Sequence, residues 1–165
     1  MMKRWFFAPV AALALLALAS CNQQGPAGPS EPAGSEPVNE AETPPPQLPP
    51  VDAALVAAPN STFVAFEPSE AGIIGAATVH EALGPIVSPE SAGEGEEIHL
   101  TITEQGDTAV ADIVRINQPD DAIASGHVRV EFRREPEGWY PTNAYRRAMC
   151  RRGAYANQWT TEACP

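Results

Sequence analysis

The segment YRRAMCRRG places Arg146, Arg147, Arg151 and Arg152 within seven residues. Guanidinium groups at that density suit an anionic glycan, a peptide carboxylate or a phosphate, which they grip through paired, charge-assisted hydrogen bonds. Neighbouring side chains on a strand point to opposite faces, so the run does not make one patch automatically. The competing reading is ion pairing with the acid-rich first half of the chain, a common arrangement of small energetic weight. Trp139, Tyr140, Tyr145, Tyr155 and Trp159 lie in the same region. Of these, Trp139 and Trp159 are the candidate stacking surfaces for a ligand, and they suit the covering of a small core equally well.

The histidines and acids offer less. His80, His99 and His127 are scattered, and no H-E-x-x-H or G-x-S-x-G arrangement surrounds them. Ser125 and His127 stand two residues apart, which does not by itself make a nucleophile and its base. Glu90, Glu94, Glu96 and Glu97 crowd one segment, and Asn117, Asp120 and Asp121 another. Both could gather oxygens for Ca²⁺, but neither has the D-x-[DN]-x-[DN]-G spacing, so solvated acidic loops are the reading taken. No catalytic residue, metal site or cofactor is assigned.

The elements that must position these residues are clearest in the second half. In EIHLTITE, Ile98, Leu100 and Ile102 alternate with His99, Thr101 and Thr103, the pattern of a half-buried strand. TAVADIVRI, Thr108–Ile116, is a second strand after the turn residues Gln105-Gly106-Asp107. In HVRVEFRRE, Val128, Val130 and Phe132 alternate with Arg129, Glu131 and Arg133. A fourth strand follows Pro136-Glu137-Gly138, and its Pro141 suggests an edge position. Short connections favour an antiparallel meander of about four strands. Its apolar face needs a cover, which short N-terminal helices over Ala53–Ala58 and Ala76–Leu83 supply, with TFVAF, Thr62–Phe66, as further strand material. The expected fold class is a small α+β domain, with a small β-sandwich or barrel as the alternative.

The N-terminus reads as an address. Lys3 and Arg4 precede an apolar run, Trp5 to Leu18, shorter than the roughly 20 residues that span a bilayer. Leu18-Ala19-Ser20-Cys21 resembles the lipobox of bacterial lipoproteins. The resemblance implies a signal peptide over residues 1–20, cleavage before Cys21, and lipid on Cys21. Asn22 rather than Asp follows it, which implies the outer membrane, facing the periplasm, in a Gram-negative host. Residues 21–50 hold half of the 18 prolines and no aromatic residue, the composition of a disordered tether. Residues 51–165 are enough for one domain.

With Cys21 lipidated, Cys150 and Cys164 remain, and export to an oxidising compartment makes them a disulfide. The tail EFRREPEGWYPTNAYRRAMCRRGAYANQWTTEACP then resembles the ending of a group of exported bacterial domains of unassigned function. The matching positions are Phe132, Trp139, Cys150, Arg152, Gly153, Trp159 and Cys164. Two extra residues stand between Gly153 and Trp159, and the His that often follows the Gly is absent, so no role of such a His carries over. The resemblance implies export and no activity.

Residues 21–165 carry eight basic side chains against 21 acidic ones, a net of −13, which argues against nucleic acid as a partner. The function expected is a non-enzymatic binding or scaffolding module, held to the membrane by its lipid, for an envelope protein or glycan or another anionic ligand. The rival is an enzyme or small-ligand domain with a pocket between sheet and helices. A third reading is a structural part of an envelope complex.

Overall fold

A computed structural model describes residues 47–165; the expected signal peptide, Cys21 and most of the expected tether lie outside the described residues. Three single-turn helices and six strands follow one another: α1 (Ala53–Val56), β1 (Val64–Phe66), α2 (Val79–Ala82), α3 (Gly84–Val87), β2 (Glu97–Gln105), β3 (Thr108–Ile116), β4 (Ile123–Glu135), β5 (Gly138–Cys150) and β6 (Trp159–Thr160). The strands form one sheet in the order β1-β5-β4-β3-β2, with β6 also on β5. All named pairings are antiparallel. The expected four-strand meander is therefore present as β2 to β5, and the sheet is larger than expected by two short strands.

The apolar face behaves as the alternation predicts. Ile98, Ala109, Ala111, Ile113, Val130, Phe132 and Ala144 pack against Ile73, Val79, Ala82, Leu83 and Val87 from the covering segment. Thr78 starts α2 with a capping box: its hydroxyl accepts from the Glu81 amide at 3.1 Å, and its own amide donates to the Glu81 carboxylate at 3.1 Å. α2 ends at Ala82, and Gly84-Pro85 then opens a separate turn, α3, because proline is well placed at a helix start.

The outer edge of β5 is closed in pieces. Ala76 exchanges two hydrogen bonds with Trp139 at 3.0 and 2.8 Å. β1 pairs with Ala144–Arg146, β6 with Ala148–Met149, and Ala156 bridges to Cys150. Pro141 falls between the first two pieces and beside the register shift at Glu131/Phe132, so its missing N–H interrupts no regular ladder. β2, at the opposite edge, is met by the chain entering the domain, where the Leu100 amide donates to the Pro49 carbonyl at 2.8 Å.

Candidate functional site: a buried Asp–His–Arg network

The second face of the sheet departs from the simple alternation. Asp112, His127 and Arg129 lie on it, and all three are buried. The cover is the segment from Val51 to Phe63, which crosses this face as α1 and a following turn. Burial of three ionisable groups is costly unless each is paired and hydrogen-bonded, and here each is.

Arg129 donates from Nε to Asp112 Oδ1 at 2.9 Å. Its Nη1 donates to the Ala58 carbonyl and to Asn60 Oδ1, and its Nη2 to the Leu55 and Val56 carbonyls. Five donors thus meet five acceptors. The Leu55, Val56 and Ala58 carbonyls lie in or just beyond the last turn of α1, where a helix end leaves acceptor capacity to be filled. Arg129 thereby fastens the covering segment to the sheet.

His127 Nε2 lies 2.8 Å from Asp112 Oδ1. Its Nδ1 faces Arg147, whose Nε and Nη2 are 3.2 and 3.0 Å away. A guanidinium can only donate, so Nδ1 accepts and Nε2 carries the proton that Asp112 receives. Burial pushes the His127 pKa down, helped by the Arg147 and Arg129 charges and opposed by Asp112. Phe63 and Trp159 close around the ring edge-on, at 4.9 and 5.7 Å between centroids. The same two aromatic rings flank the Arg147 guanidinium at 4.3 and 5.2 Å. Trp159 is brought there by β6, within the loop that the Cys150–Cys164 disulfide closes.

The arginine run is dispersed, as strand geometry requires. Arg147 joins the buried network. Arg151 donates to the carbonyls of Gln118, Asp120 and Ile123, and Arg152 to Asp121 and the Pro165 carbonyl. Both therefore pin the loop after β3. Asp120 accepts from the Ile123 and Ala122 amides, which hold its pKa below the usual carboxylate range. Arg146 points to the other face, stacks on Phe66 at 5.1 Å and, among the described residues, donates no side-chain hydrogen bond. It lines a groove of about 470 Å³ with Val64, Ile123, Val128 and Ala148. Trp139 is only 2 % exposed and sits in the core beneath the Arg134 guanidinium, so it offers no stacking surface to a ligand.

Of the other candidates, Glu96 leaves its acidic neighbours and clamps a loop. It takes a two-pronged pair from Arg115 at 2.8 and 2.7 Å, while Arg115 also donates to the Ser91 carbonyl. Burial pushes the Glu96 pKa up, but Arg115 and the Gly93 amide outweigh it and hold the group below its ordinary range. Glu90, Glu94, Glu97 and His80 are exposed. His99 lies 3.6 Å from Glu97. Among the described residues, no group of three or more His, Cys, Asp or Glu is placed to hold a metal ion, and no helix is long and apolar enough to cross a membrane.

Asp112 and Arg129 went unnoticed in the sequence as site residues. The available signal was a lone carboxylate inside TAVADIVRI, an apolar strand that must give a buried acid a cationic partner. Comparison with protein families, with curated proteins and with solved structures finds no match to this chain.

Proposed function

We propose that this protein is a lipid-anchored module of the bacterial cell envelope that binds an anionic ligand and does not catalyse. The anchor is lipid on Cys21, released from a signal peptide over residues 1–20, and residues 21–50 tether the domain, at the outer membrane facing the periplasm in a Gram-negative host. The observation that carries the binding role is the groove beside Arg146. Its walls are largely apolar, and Arg146 is the member of the arginine run not engaged in pinning a loop or in the buried network. Thr160 and Thr161 add hydroxyls, and Glu162 adds a negative charge that disfavours a polyanion. A peptide carboxylate on an apolar chain meets these requirements. His127 engages both ring nitrogens inside the domain, so it is not offered as a catalytic base.

The test is a titration of the full chain with apolar peptides carrying a free or an amidated C-terminus. Binding of the free acid, lost in the amide and in Arg146→Gln, is the expected result. Equal binding of both peptides would exclude the groove reading. Mass spectrometry of the mature N-terminal peptide tests the anchor separately, since an unacylated Cys21 removes it.

A further inference from the structure

We propose that a second pocket, between α1 and the β2–β3 hairpin, binds a small organic ammonium group against Asp112. The pocket has a volume of about 310 Å³ and is lined by Val56, Asn60, Thr103, Val110, Asp112 and Glu131, among others. It lies on the opposite face of the sheet from the Arg146 groove, and the inference stands without that reading.

Asp112 is 2 % exposed, yet its two hydrogen bonds, from His127 and Arg129, are both accepted by Oδ1. Among the described residues Oδ2 accepts none, on a side chain that lines the pocket. Of the remaining polar groups, the Gln105 amide can both donate and accept, and the others offer mainly acceptors. Arg129, which lines the same pocket, has all five donors committed and already balances the Asp112 charge, so Glu131 supplies the uncompensated negative charge. Asn60 donates to Glu131 Oε1 and accepts from Arg129. Thr108 donates to the Gln105 carbonyl. Glu131 is met by two neutral amides, Asn60 and Asn143, and by no cation among the described residues.

Such a site asks for a donor that carries positive charge. Hydrogen bonds between charged partners are about twice as strong as neutral ones, which favours an ammonium over a hydroxyl. An ammonium donating to Asp112 Oδ2 would lie in a pocket that also holds the Glu131 charge, with a short apolar stem against Val56 and Val110. The volume is at the small end for ligand pockets, which fits a small amine better than an oligosaccharide. The acidic chain also raises the local concentration of cations.

The experiment is a titration of the full chain with putrescine, followed by amide and imidazole NMR signals, with glycerol as the uncharged control. Saturable shifts of Thr103, Val110 and Glu131 with putrescine alone are expected. The His127 Nε2–H signal is expected to move with them, because His127 shares Asp112. Val110→Phe, which fills the pocket, and Asp112→Asn, which turns the unpartnered oxygen into a donor, should each weaken binding about tenfold or more. Should Asp112→Asn fail to fold for want of a charge opposite Arg129, Val110→Phe decides alone. No saturable shift with putrescine, equal shifts with glycerol, stronger shifts of the same amides with Ca²⁺, or unchanged binding in Val110→Phe would each overturn the proposal.

Discussion

At the scale of single residues, His127 makes the domain sensitive to acid. Its imidazole is held neutral, with Arg147 donating to one nitrogen and Asp112 accepting from the other. Protonation would set an N–H against the N–H groups of Arg147 and add a third positive charge beside one carboxylate. The folded pKa is therefore below the ordinary 6.5 that the unfolded chain keeps. Below that value the unfolded chain takes up a proton and the folded one does not, so stability is fully present above about pH 6.5 and falls as the pH drops towards the folded value. The limiting slope is about 1.4 kcal/mol per pH unit. Urea midpoints measured between about pH 7 and 5 should decline, and His127→Gln should flatten that decline. A midpoint that does not move with pH in the native protein would show that His127 titrates alike in both states.

At the scale of elements, the turn into β5 and the first bridge on the β5 edge depend on one glycine. Gly138 has φ +144°, and a Cβ there would come within 2.2 Å of the Ala76 carbonyl oxygen. That oxygen accepts from the Trp139 amide, so the added methyl group strikes the bridge that joins the covering segment to the sheet. Gly138→Ala should cost about 2 kcal/mol or more through strain and loss of this bridge. Thermal unfolding checks the magnitude, and loss of hydrogen-exchange protection at Ala76 and Trp139 checks the mechanism. The strands themselves were legible, because alternation and turn chemistry both pointed the same way; β3 matches its expected limits of Thr108–Ile116. The facing of β4 was only half legible. Arg129 and His127 occupy the positions that alternation assigns to solvent, and their burial depends on a cover, residues 51–63, that has no strong periodicity of its own.

At the scale of the whole molecule, the C-terminal loop secures the buried network from outside. The Cys150–Cys164 disulfide closes the loop that contains β6, and β6 lays Trp159 against His127 and Arg147. Cys164→Ser should lower stability by about 3 kcal/mol, the chain-entropy value for a loop of this length. It should also shift Trp159 fluorescence towards that of a hydrated indole. An unchanged melting temperature and spectrum would mean that β6 holds its place without the covalent closure. The pairing of Cys150 with Cys164 was legible once Cys21 was set aside as a lipid site. The gathering of Asp112, His127, Arg129 and Arg147 was not, because they come from three strands whose register no local pattern specifies.

The piecewise closure of the β5 edge makes the border depend on segments distant in the chain. The four-strand meander is finished when Cys150 has been made, but two of the segments that seal its border, β6 and Ala156, come later in the chain. Until then the backbone of Ala148 to Cys150 is an open border that can pair with any extended chain, including a second unfinished copy. By pairing with that border, β6 and Ala156 leave it closed to a neighbouring chain, so disrupting them should expose an edge prone to self-association.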